Sequence, residues 1–207
     1  MRWPFWFVML VCSLSACGKA AAQVIEFESG GLRYKALSKA GITIMCAPLP
    51  LQVRHYAIVQ VAVSNGSTSA FTIRPEDFLF SRADSTQIQA DSADEVVKDL
   101  LQRAGRNDVI KLVSTYESGL YGIVKFRSTN GYEQRRRSAL AEVSSAKIKA
   151  AAAASAIAFV ETRLLPGQST DGAIFFPSYG KPLGTGTLKV KAAGQLFEFQ
   201  LDARLNL

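Results

Sequence analysis

Apolar and polar residues alternate in short bursts over the first third of the chain, shift to three- and four-residue spacing in the middle, and return to short bursts near the end. Early on, Val24–Glu28, Leu32–Leu37 and Ile42–Met45 are rich in β-branched and aromatic residues, and Ser29-Gly30-Gly31 and Gly41 separate them, which predicts three short strands. Pro48 and Pro50 are expected to interrupt any strand there. The strongest strand pattern follows at His55–Ser64. Val59, Val61 and Val63 point one way and Ile58, Gln60 and Ala62 the other, which predicts one fully apolar face and one mixed, partly covered face. Asn65-Gly66 marks a turn; Phe71-Thr72-Ile73 and Phe78-Leu79-Phe80 resume strand character on either side of Pro75.

The period changes at Ser92-Ala93-Asp94-Glu95, a capping box in which the serine hydroxyl accepts a backbone N–H and the glutamate reaches back. Val96, Val97, Leu100, Leu101 and Ala104 form the apolar stripe of a helix that should run to about Gly105. A second short helix is expected from Asn107 or Asp108, carrying Ile110, Val113 and Tyr116. A long Ala-rich helix is expected from about Tyr132 to about Ala156, with Leu140, Val143, Ala146, Ala150, Ala153 and Ile157 on one face. Strands then return at Phe159–Leu165, Ala173–Phe176, Thr187–Val190 and Leu196–Leu201, with Pro166-Gly167 as a turn.

Strands at both ends with helices between them predict a mostly β fold: an antiparallel β-sandwich with a helical insertion at about 92–157, in one domain spanning 24–207. Tyr56–Asn65, Arg74-Pro75-Glu76-Asp77-Phe78, and Leu165–Ser169 followed by Gly172–Pro177 resemble bacterial extracytoplasmic immunoglobulin-like domains. The resemblance covers the first and last thirds of the chain and implies an immunoglobulin-like sandwich; it carries no catalytic residue across.

Ahead of this domain, Arg2 is the only charge before an apolar run from Trp3 to Val11, which ends in Leu14-Ser15-Ala16-Cys17. That layout is a signal peptide's, and the run is too short to cross a bilayer. The four closing residues resemble the lipobox of bacterial lipoproteins. The resemblance implies a signal peptide over 1–16, lipidation of Cys17, a tether over 17–23 and a place in the cell envelope, facing the periplasm. Gly18, where an aspartate would retain such a protein at the inner membrane, favours the outer membrane. Ordinary cleavage after Ala20-Ala21-Ala22, giving a soluble periplasmic protein, is the alternative.

Composition refines this picture. The chain has 207 residues, 48% of them hydrophobic and 20% charged, enough apolar surface for one substantial core. Its formal charge of +7 would raise the question of nucleic acid. An exported protein does not ordinarily meet nucleic acid, so the expected partners are the membrane through the N-terminal lipid and an envelope protein or anionic lipid.

Candidate chemistry is sparse. His55 is the only histidine. It stands beside Arg54, with no orienting carboxylate in its neighbourhood of the sequence, and reads as a strand-edge residue rather than a catalytic base. Cys46 has no partner cysteine in the mature chain and reads as a small buried hydrophobe. Asp91, Asp94 and Glu95 lack the glycine-containing loop of a calcium site, so no metal or cofactor is expected. Gly180-Lys181 and Gly184-Thr185-Gly186 lack phosphate-loop spacing. Glu76, Asp77 and Glu161 are the carboxylates that a glycan hydrolase would draw on. Arg135-Arg136-Arg137, fanned around the start of the long helix, are candidates for contact with a partner or an anionic surface, and Ala150–Ala154 form a face able to dock closely on the domain's own sheet or on another protein. The expectation is a non-catalytic binding or structural accessory protein. The alternatives are an envelope glycan or ester hydrolase, or a carrier of a lipid or hydrophobic peptide.

Overall fold

The computed structural model describes residues 23–104, 107–108 and 146–202, without the side chains of Leu51 and of 146–150. Its centre is β4 (Tyr56–Asn65), hydrogen-bonded on one side to β3 (Ile42–Val53) and on the other to β9 (Ser169–Pro177). With β1 (Ile25–Ser29) and β2 (Leu32–Lys39) they make a five-stranded sheet in the order β1-β2-β3-β4-β9, antiparallel throughout. A four-stranded sheet comprises β6 (Phe78–Arg82), β7 (Gln87–Gln89), β10 (Gly186–Ala192) and β11 (Gln195–Leu201), in the order β11-β10-β6-β7. A ribbon of β5 (Phe71–Ile73) and β8 (Thr162–Leu164) sits at their flank. The fold is therefore a mostly antiparallel β-sandwich with a helical segment, and α1 (Ala93–Arg103) and α2 (Ala146–Ile157) form a third layer.

Strand alternation assigns side chains to the two faces of the large sheet. Val59, Val61 and Val63 of β4, Ile44 and Cys46 of β3, and Ile174 and Phe176 of β9 meet Phe78, Phe80, Leu188, Val190, Phe197 and Phe199 from the small sheet. Each fully buried phenylalanine there contributes ~1.5–3 kcal/mol, so this layer dominates the core. The opposite face carries Tyr34, Tyr56, Ile58, Ala173 and Phe175, which pack under Val96, Leu100 and Ala104 of α1 and Ala154 and Ile157 of α2. The second face of β4 is thus covered more fully than its sequence suggests: even Gln60 is 2% exposed, its Oε1 accepting a hydrogen bond from the Tyr34 hydroxyl at 2.9 Å that offsets the loss of water. Leu101, at 42% exposure, drops off the expected helical stripe.

The helical segment leaves and rejoins the sandwich across the free edge of β9. Asp91 N–H donates to the Phe175 carbonyl on the way out, and Phe159 N–H to the Ala173 carbonyl on the way back. These bonds satisfy edge carbonyls that would otherwise be open to another strand. The return crossing is close: a Cβ on Gly172 would lie 2.6 Å from Phe159 Cα, so only glycine fits. It also explains why strand pairing expected from Phe159 is confined to Thr162–Leu164, with Ala158 making a single parallel bridge to Ala173.

Pro48 and Pro50 do not interrupt β3. Beyond Cys46 the strand is paired with β4 only, and its register shifts between Pro48 and Gln52. A proline lacks the donor that a two-sided strand needs, and an edge with a bulge does not require it. The short strand β7 had no sequence signal beyond Ile88, whose side chain alone of its three points into the core.

Candidate functional site

One end of the sandwich brings His55, Tyr56, Asp91 and Asp99 together. The tight connection between β3 and β4 holds Arg54 at φ 59 and presents His55 beside α1. His55 Nδ1 lies 3.7 Å from Asp99 Oδ2, and Asp99 Oδ1 lies 3.5 Å from Arg103 Nη1. The first distance is too long for a hydrogen bond but within reach of an ion pair if the imidazole is protonated. Asp99 is mostly buried, and its Oδ2 accepts no hydrogen bond. Next along β4, the Tyr56 hydroxyl donates to Asp91 Oδ2 at 3.0 Å, and the Tyr56 ring packs on His55 with centroids 4.2 Å apart.

Electrostatics follow from this packing. Burial pushes the Asp91 carboxyl above its ordinary range, opposed by the bond from Tyr56. Burial, together with the negative charge of Asp91, pushes the Tyr56 phenol up as well, so it remains a neutral donor. Glu95 moves the other way: the Ser92 backbone N–H donates to it and holds it below its usual value.

The sequence reading found no orienting carboxylate for His55, and the fold supplies one. Asp99 stands three residues after Val96 and one before Leu100, at the edge of the buried stripe of α1. An acid at that position in an amphipathic helix was the signal available. What the arrangement does chemically is limited by its neighbours: Ser178 Oγ donates to the backbone carbonyl of His55 at 3.2 Å, not to the ring. His55, Asp99 and Arg103 thus form a polar clamp between the β3–β4 connection and α1.

The other candidates separate into structural roles. Asp77 Oδ2 accepts the Arg74 N–H at 2.8 Å, and Glu161 pairs with Arg74 at 3.2 Å, so both are engaged at the surface around one arginine. Glu95 closes the capping box with Ser92. No group of three or more side chains suited to a metal is found among the described residues. Cys46 is fully buried in the inter-sheet core, and burial drives its thiol far up, as for a small hydrophobe. Ala151, Ala153, Ala154 and Ala156 are buried within the chain, with Ala154 packed over the sheet's outer face. Cys17 and Arg135, Arg136 and Arg137 lie outside the described residues, as do the expected signal peptide and the first part of the long helix.

The opposite end is built around Asn65, which sequence reading took for a simple turn residue. It is fully buried. Its Nδ2 donates to the Ser69 and Leu164 carbonyls, at 2.9 and 3.0 Å, and its Oδ1 accepts from Ser67 N and Oγ, at 3.0 and 2.6 Å. Four polar demands met at the rim of the core tie the end of β4, the turn after it and the end of β8 together.

No protein-family model matches the chain, and no curated protein matches it. Among solved structures, the crystal structure of the yjhA protein from Bacillus subtilis aligns with 80% of this chain and 76% of its own, at 9% identity and a TM-score of 0.32. A likeness of that degree carries no argument about function. No helix among the described residues is long and apolar enough to cross a membrane.

Proposed function

We propose that the chain is a lipid-anchored binding or structural accessory protein of the cell envelope, held through Cys17 on the outer membrane and facing the periplasm, without catalytic activity. The observation that carries this reading is Leu14-Ser15-Ala16-Cys17 at the end of the apolar run headed by Arg2. The domain begins soon after, with β1 at Ile25, which leaves a tether of only a few residues. Arg135-Arg136-Arg137 are the proposed contact for an envelope protein or anionic lipid. The hydrolase alternative gains the pairing of His55 with Asp99, but Ser178, the hydroxyl beside them, is turned to a backbone carbonyl.

The test is fatty-acid labelling of the intact chain in a bacterial host, with Cys17→Ala as the comparison. The wild type is expected to carry label and fractionate with membranes, and the variant to lose both. Label retained by the variant overturns the anchor.

A further inference from the structure

Four turns meet at the Asn65 end of the sandwich. The register Lys39↔Ile42↔Asn65 places the β2–β3 turn beside the end of β4, where Gly66 N–H donates to the Gly41 carbonyl at 2.8 Å. Gly167 N–H donates to the Asn65 carbonyl at 2.7 Å, adding the turn Leu165–Gln168. The β10–β11 hairpin joins them through Lys39 Nζ, which donates to the Leu196 carbonyl at 2.6 Å. These turns, Ala40-Gly41, Gly66–Ala70, Leu165–Gln168 and Ala193-Gly194, contain no carboxylate, while Lys39, Arg163 and Lys191 flank them. Leu165 and Leu196 are exposed there, by 47% and 43%.

The chain enters the fold at the same end. Ile25, 64% exposed, pairs with Ala36, three positions from Lys39, and β1 runs away from that end. Seven residues separate Cys17 from Ile25, and these eight Cα–Cα steps span at most about 29 Å when fully extended. A lipid on Cys17 therefore brings the Asn65 end, where the chain enters the fold, within reach of the bilayer. The His55 end lies a full ten-residue strand further off, about 30 Å.

We propose that this end of the sandwich, through Leu165, Leu196, Lys39, Arg163 and Lys191, rests on the anionic surface of the membrane that holds the anchor. Apolar tips without carboxylates enter the headgroup region at no cost in buried negative charge, and the flanking cations meet lipid phosphates. The inference rests on the anchor reading. It sets an orientation: the charged His55 end and the helix layer beside it are left facing the periplasm.

The test uses the full lipidated chain in vesicles of phosphatidylethanolamine and phosphatidylglycerol, labelled with an environment-sensitive dye at Leu165→Cys, Leu196→Cys or, at the far end, Tyr179→Cys. Headgroup nitroxides are expected to quench the first two labels and spare the third. Arg163→Glu with Lys191→Glu should lower the quenching at least about threefold, as should phosphatidylcholine vesicles. Acylated protein whose Leu165 and Leu196 labels are quenched no more than that at Tyr179 overturns the docking alone. A Cys17 without an acyl chain, read by mass in the same preparation, overturns anchor and docking together.

Discussion

The two faces of the five-stranded sheet are made from the same strands and buried by different means. Towards the small sheet, two alternating strand patterns interlock, and the buried polar side chains Asn65 and Thr170 stand at the rim. Towards the helices, small alanines bring α2 close, and polar groups sit inside the layer: Tyr34 with Gln60, Tyr56 with Asp91, and Asp99 beside His55. The first face supplies most of the apolar burial. The second supplies directional contacts, which fix where the helices lie but add little net energy each.

The difference is sharpest in truncations. Phe176→Ala removes a fully buried ring from the inter-sheet core and should cost ~3–5 kcal/mol in global unfolding by urea. Leu100→Ala on α1 should cost about 2 kcal/mol, near the low end for a leucine, because an outer helix can settle over the gap. Amide hydrogen exchange should then quicken in α1 while β4 remains protected. Equal quickening in both would mean that helix layer and sandwich open as one unit, and the contrast between the faces would fail.

Much of the sandwich was legible for a physical reason. Strands with two-residue periodicity and glycine turns carry their local instructions with them, so β2, β4, β10 and β11 stand out, as does the Ser92–Glu95 capping box. What was hidden depends on partners distant in sequence. Pro48 and Pro50 are tolerated because β2 stops pairing at Cys46, and nothing near the prolines says so. Gly172 looks like any strand glycine until Phe159 crosses it. The pairing of His55 with Asp99 joins residues 44 positions apart, and the sequence marks it only by an acid at the edge of an apolar stripe. Cys17 and the arginines at 135–137 are sequence signals alone, since they fall outside the described residues.

A smaller effect separates packing from direction on the helix side. Gln60→Leu keeps the volume roughly but removes the acceptor of the Tyr34 hydroxyl, and should cost ~1–3 kcal/mol. Adding Tyr34→Phe should recover part of that loss, with a coupling of ~0.5–3 kcal/mol in a double-mutant cycle read by urea unfolding. Additive costs would mean that the hydrogen bond has no energetic standing and that the two faces differ only in shape.

The faintest difference is in pH. Among the described residues the inter-sheet face buries no carboxylate, whereas the start of α1 holds two whose affinities for protons move in opposite directions. Burial raises Asp91 above its ordinary 3.8, so the folded protein binds that proton more tightly than the unfolded chain does. Its contribution is therefore greatest below 3.8 and declines as pH rises through the raised folded value. Glu95, lowered by the Ser92 amide, contributes above 4.5, and that contribution is lost as pH falls through its lowered folded value. Asp91→Asn should keep an acceptor for Tyr56 and remove the decline, so the urea midpoint of the variant gains on wild type as pH rises. Glu95→Gln should do the reverse and lose ground as pH rises, because wild type alone gains the ionised cap. Parallel pH profiles for wild type and Asp91→Asn would mean that Asp91 is solvated in the folded protein, and the helix face would then bury hydrogen bonds at this junction without burying charge.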